Sequence, residues 1–137
     1  MKVSTKGRYG LRAMMDLARK FGKGPIMMSE IAEQEDLSPK YLHALLASLR
    51  ASGLIRSVRG AGGGYMLAKS PDKIPIDAII TALEGPLELT DCVSAPDICI
   101  RGDECAARRV WLKASEALQS AMGNLTLSDL IDQDGDV

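Results

Sequence analysis

The chain has 137 residues, 46% hydrophobic and 26% charged, with a formal net charge of −1. Those values fit a single soluble domain with an appendage, and they exclude collagen-like, mucin-like and largely disordered chains. No run reaches the ~18 apolar residues needed to span a bilayer. Met1-Lys2-Val3-Ser4-Thr5-Lys6 lacks the apolar core and cleavage site of a secretion signal, so a cytoplasmic protein with no membrane partner is expected.

The small net charge hides a division. Residues 1–69 hold 12 Lys and Arg against 5 Asp and Glu, whereas residues 70–137 hold 5 against 13. A basic first half suits a polyanion, and an acidic second half deters binding by the wrong face.

From Thr5 to Lys20 the residues Tyr9, Leu11, Ala13, Met14, Leu17 and Ala18 recur at helical spacing, and Gly22, Gly24 and Pro25 stop that helix. A short second helix is expected from Ser29 as N-cap, with Met28 as a staple and Ile31-Ala32 buried. The Met pairs at 14–15 and 27–28 read as core filler. The third helix has Ser38 as N-cap, Pro39 in its first position, a stripe of Leu42, Leu45, Leu46 and Leu49, and Gly53 as its left-handed end. Its opposite face reads Lys40, His43, Ala44, Ala47, Arg50.

Leu54–Arg59 and Tyr65–Ala68 flank Gly60-Ala61-Gly62-Gly63-Gly64 and predict a β-hairpin. A helix over Ile76–Leu83 ends at Gly85-Pro86, and residues 90–105, with Pro96 and Gly102, read as a loop. A long helix is expected from about Glu104 to Met122, striped by Val110, Trp111, Ala114, Leu118, Ala121 and Met122. At ~1.5 Å per residue such a helix is too long to bury its stripe on so small a domain, so a second copy is expected to cover it. One closing turn over 126–131 and an acidic tail over 132–137 complete the chain. The expected fold is mainly α with a small β-hairpin. It comprises a winged helix-turn-helix domain at 1–84, a cysteine-bearing sensor loop at 85–103, and a dimerisation helix with its tail at 104–137.

Two short helices joined by a tight turn, the second basic on its open face, suit the major groove of double-stranded DNA. Base edges there are reached from a helix N-terminus. Ser38, Lys40, Tyr41 and His43 stand at that end, while Ala44 and Ala47 allow close approach. Lys2, Lys6, Arg12, Arg50 and Arg56 are candidates for phosphate neutralisation. Arg59, beside Gly60 at the hairpin tip, is placed to enter a narrow minor groove. The glycines are not a phosphate loop, because no Gly-Lys-Ser/Thr ending follows and a strand replaces the helix.

The strings Lys6-Gly7-Arg8-Tyr9, Ser57-Val58-Arg59-Gly60 and Gly62-Gly63-Gly64-Tyr65 resemble the IscR/NsrR/CymR family of bacterial winged-helix transcription regulators. The resemblance continues through Cys92, Cys99, Cys105 and Trp111 to Leu125-Thr126-Leu127, almost the whole chain. It implies a homodimer joined by the long C-terminal helix, binding imperfect palindromes. It also implies DNA reading by the third helix and the wing, here Ser38, Lys40, Tyr41, His43 and Arg59.

Cys92, Cys99 and Cys105, with six and five residues between them, place three thiols on one loop that can wrap a cluster. In the iron–sulfur members that the chain resembles, this loop holds a 2Fe–2S or a 4Fe–4S cluster; the former is favoured here. Where some members have a His three residues after the last cysteine, this chain has Arg108; where others use a partner's acidic residue near the N-terminus, it has Arg8. The fourth ligand stays open among Asp91, Asp103, Glu104, solvent and a small thiol. The expected function is a DNA-binding repressor, not an enzyme, controlled by a cluster that senses iron–sulfur status, oxygen or nitric oxide. The alternatives are a cluster-free thiol switch or cysteine-metabolism regulator of the same fold, a zinc site, inert cysteines, a catalytic cysteine, and an iron–sulfur partner protein without DNA binding.

Overall fold

The structure of the protein, a computed structural model, describes residues 2–134. Of the acidic tail expected over 132–137, residues 132–134 are helical, not a tail, and 135–137 lie outside the described residues. Helix α1 (Thr5–Arg19) opens on Ser4, whose Oγ accepts the Gly7 N–H at 3.3 Å. Its Ala13, Met14, Leu17 and Ala18 are buried, as the spacing predicts.

Helix α2 (Met28–Glu35) starts earlier than Ser29 suggests, with Met27 as its N-cap and no side-chain cap bond. The cause lies in the preceding residue. Ile26 exchanges two 2.8 Å hydrogen bonds with Tyr65, which fixes the chain in extended form up to Met27 and lets the helix begin at once. Met27 is consequently 51% exposed and no core filler, whereas Met14 is fully buried. Asp36 closes α2 in the left-handed region at φ 53°, so only residues 36–38 separate α2 from α3 (Pro39–Ala51).

In α3 the Ser38 cap and the four-leucine stripe are as expected, and Gly53 takes φ 77° beyond the helix end. Strands β1 (Ile55–Val58) and β2 (Gly64–Leu67) pair antiparallel, Ile55 opposite Leu67 and Val58 opposite Gly64. A Cβ at Gly64 would run into the Ile26 carbonyl, so the wing can dock on the α1–α2 connection only with glycine there.

Helix α4 (Ile76–Glu84) brings Ile79, Ile80 and Leu83 into the same core and ends at Gly85. The loop that follows contains three short 3-10 turns, Asp91–Val93, Pro96–Ile98 and Gly102–Glu104. Helix α5 (Ala106–Gly123) rests on α4, and Ser115 is its one fully buried residue.

The closing turn expected over 126–131 is a longer helix, α6 (Leu127–Asp134). Asp129 Oδ2 accepts the Thr126 N–H at 2.8 Å, a capping arrangement that starts α6. The Leu127 N–H donates to the Ile74 carbonyl at 2.9 Å, Leu127 is fully buried, and α6 packs against α1. The chain thus returns to its first helix. Among the described residues no helix is long and apolar enough to cross a membrane.

Candidate DNA-reading face and cysteine loop

The leucine stripe decides which way α3 points. With Leu42, Leu45, Leu46 and Leu49 buried, Lys40, His43, Ala44, Ala47 and Arg50 are left exposed together on the opposite side. Ser38 is exposed too, but its Oγ is occupied as an acceptor for the Tyr41 N–H at 3.2 Å. Tyr41 turns inward. Its ring stands edge-on to Tyr9 with centroids 6.4 Å apart, and its hydroxyl donates to Thr5 Oγ1 at 3.4 Å. The Arg12 guanidinium lies 5.7 Å from the Tyr9 ring centroid.

Arg50 donates to Ser57 Oγ at 3.3 Å, which ties the end of α3 to the first wing strand. Arg59 and Gly60 sit in the turn beyond β1, exposed, with Gly60 at φ 94°. Lys2, three residues before α1, is exposed. It lines a groove of about 610 Å³ between α4 and α5, together with Glu84, Leu87, Leu118 and Met122.

One feature behind the reading helix escaped the sequence. Asp16 of α1 and Glu35 of α2 are 4% and 8% exposed, so two carboxyls are buried side by side at the joint of the two helices. Burial first, then a side-chain hydrogen bond and charge repulsion from Glu35, push Asp16 up to about 7. Arg19 reaches Asp16 Oδ1 at 2.9 Å, Gln34 Nε2 reaches the same atom at 3.1 Å, and Arg12 reaches Glu35 Oε2 at 2.7 Å. The only advance signal was an acidic residue interrupting each apolar stripe.

The cysteine loop is braced by Arg108. Its Nε donates to the Cys92 carbonyl at 2.7 Å, one terminal nitrogen to the Val93 carbonyl at 3.0 Å, and the other to Asp103 Oδ1 at 3.3 Å. Two α5 side chains hold the segment leading into the loop: Ser115 Oγ accepts the Leu89 N–H at 3.0 Å, and Gln119 donates to the Leu87 carbonyl at 2.7 Å. Sequence reading missed these five contacts, because four of them end on a main-chain group.

Cys92, Cys99 and Cys105 are free thiols, Cys99 exposed and the others half-buried, with Cys92 Sγ 3.0 Å from Thr90 Oγ1. As soft donors unengaged in disulfides they suit an iron–sulfur cluster in kind. In this structure the three are not gathered. Among the described residues no three His, Cys, Asp or Glu side chains stand together as a metal site, and Asp103 is taken by Arg108.

Known proteins share both the sequence and the architecture. Residues 3–133 match the Rrf2 family, described as iron-dependent transcriptional regulator. The HTH-type transcriptional regulator CymR of Bacillus subtilis (strain 168) is 42% identical over 130 residues, which cover 95% of this chain and 89% of that one. The regulator IscR of Yersinia enterocolitica is 38% identical over 131 residues, 96% of this chain and 79% of its own. The solved structure of B. subtilis CymR, titled the global cysteine regulator, superposes with a TM-score of 0.82 at 40% identity, covering 97% of this chain and 98% of that one. A helix-turn-helix with a hairpin wing, matched over nearly its whole length, places this chain in the Rrf2 family of winged-helix, DNA-binding transcription regulators, a family of non-enzymes.

Proposed function

We propose that the protein is a homodimeric repressor that binds an imperfect palindrome in double-stranded DNA and whose affinity is set by an iron–sulfur cluster on Cys92, Cys99 and Cys105. The observation that carries this reading is the loop itself: three free thiols within one short, polar-braced segment. The iron dependence attributed to the Rrf2 family supports it. Cys92, Cys99 and Cys105 would hold the cluster, which would supply a centre reactive toward oxygen and nitric oxide.

Dimerisation is supported by α5. Val110 is 58% and Trp111 39% exposed, an apolar pair that a second copy would cover. For DNA we assign Lys40, His43 and Arg59 to contacts at the groove, with Lys2 and Arg50 as phosphate neutralisers. Ser38 and Gly60 hold the backbone that presents them, and Tyr41 seats the reading helix against α1.

A second reading has its own support: the thiols are not gathered, and the CymR relative is titled a cysteine regulator. In that case thiol oxidation alone shifts DNA affinity. Anaerobic purification with iron and sulfide counts per chain separates the two. Charge-transfer absorption with equal iron and sulfide is expected, two of each favoured. Colourless, metal-free protein whose DNA affinity still follows thiol oxidation would transfer the assignment to the second reading.

A further inference from the structure

The groove between α4 and α5 has at its edge a contact that joins the two ends of the regulator. Glu84 is the last residue of α4, directly before Gly85 and the segment that enters the cysteine loop. Its Oε1 accepts the Ser4 N–H at 3.0 Å, the Gly7 N–H at 3.2 Å and the Ser4 hydroxyl. Three donors at the start of α1 therefore converge on one carboxylate oxygen, where unpaired helix N–H groups favour negative charge. Gly7 is the residue that permits it, because a Cβ there would overlap Glu84 Oε1 and crowd Val3.

Both sides of this contact lead somewhere. On one side Thr5, the next residue after the clamped Ser4, receives the Tyr41 hydroxyl from the reading helix. On the other, Leu87 and Leu89 are fastened to Gln119 and Ser115 of α5, and Thr90 touches Cys92 Sγ. Only Gly85 and Pro86 separate Glu84 from the first of these fastenings, so a shift of the loop segment would have two residues to cross before it reached the Glu84 end of α4.

We propose that Glu84 is a positioning residue that couples the state of the cysteine loop to the seating of α3, by engaging or releasing the N-terminus of α1. The proposal rests on the reading that loop chemistry controls DNA binding. It adds the element through which control passes, an exposed, exchangeable clamp with an engaged and a released state.

The chain has only the three loop cysteines, so alkylation with N-ethylmaleimide modifies the loop thiols and no other. The full-length protein, fully reduced or fully alkylated, is titrated with a duplex that the wild type has selected from a random library. We expect alkylation to change wild-type affinity about tenfold. In Glu84→Ala the ratio of the two affinities falls to within about twofold of one, while Glu84→Gln, which retains an acceptor oxygen, lies between. In wild type, alkylation also shifts the amide resonances of Ser4, Gly7 and Tyr41; in Glu84→Ala it shifts only those of the loop. A Glu84→Ala protein that responds like wild type overturns the clamp and leaves loop control standing. A wild type that ignores alkylation overturns loop control itself, and the clamp with it.

Discussion

The DNA-reading half and the cysteine loop are built on opposite principles. Among the described residues, all the buried hydrophobic residues except Leu87 and Leu127 lie at or before Leu83, in a core shared by α1, α2, α3, α4 and the wing. From Glu88 to Ala114 no residue is fully buried. What holds that stretch is polar: Arg108 on two carbonyls and Asp103, Ser94 on Glu88, and the backbone turns. An apolar core resists local change, because removing one side chain leaves a cavity. Polar ties in contact with water exchange for about 1 kcal/mol each, so the loop belongs to the low-stability part of the molecule. A rigid reader next to a rearrangeable loop is what a sensor-regulator requires.

Truncation of one large aliphatic side chain on each side is the bluntest way to break that contrast. Leu46 is fully buried, and Leu46→Ala should cost about 2–5 kcal/mol in urea-induced unfolding. Ile100, the most exposed large residue of the loop, is 103% exposed, and Ile100→Ala should stay within about 0.5 kcal/mol of wild type. Equal losses would mean that the loop has a core of its own.

The reader half also has a built-in proton linkage. Asp16 has its pKa raised from 3.8 to about 7 in the folded state, so the native form binds the proton more tightly than the unfolded chain does. The stabilisation is therefore fully present below about pH 4, declines as the pH rises, and is gone above about 7. Thermal unfolding between pH 5 and 8 should show wild type losing on the order of 2 kcal/mol relative to Asp16→Asn. Parallel curves would remove the buried acid pair from the account, and a matching pH dependence in the loop's amide exchange would erase the distinction between the halves.

How much of this was legible follows the same division. Periodicity revealed α1, α3, α4 and α5, and Ser38-Pro39 marked the start of α3, because burial imposes a 3.6-residue pattern that composition records. The wing was legible from its glycines. The start of α2 was misread because a long-range bridge between Ile26 and Tyr65, invisible in local sequence, decides it. The extent of α6 was underestimated for a similar reason, since its stability comes from docking on α1 rather than from propensity. In the candidate site, the exposed face of α3 could be read as the complement of the leucine stripe. The role of Arg108 could not: two of its three partners are main-chain carbonyls, which carry no residue code. Tyr41 pointed to DNA by position alone, and only its contacts with Tyr9 and Thr5 show it turned inward.

Arg108 sharpens the comparison from the loop side. Arg108→Ala removes the charged donor from both loop carbonyls and from Asp103. Amide exchange across 90–105 should quicken about tenfold, with a loss below about 1 kcal/mol in global stability. Limited trypsin digestion should then cut first at Arg101. A global loss as large as that of Leu46→Ala would show that the loop and the reader unfold as one unit.

The smallest effect tests the reader alone. Lys40 and Arg59 are exposed, one on the reading helix and one in the wing turn, so their truncation should leave unfolding unchanged. Each should weaken DNA binding by about 1 kcal/mol, roughly fivefold. The dependence on salt discriminates between their roles. A residue that neutralises one phosphate contributes about 0.9 to the slope of log affinity against log salt, so Lys40→Ala should flatten that slope by about this amount on any sequence. If Arg59 lies in a narrow minor groove, its loss should discriminate between A·T-rich and G·C-rich flanks as well. Arg59 belongs neither to the loop nor to α3, so Arg59→Ala should weaken reduced and alkylated protein by the same factor, whereas the Lys40→Ala factor should shrink in the state in which α3 is unseated. An Arg59→Ala factor that depends on the state of the loop would mean that the loop reaches the groove itself, and the two regions would have to be treated as one DNA-binding surface.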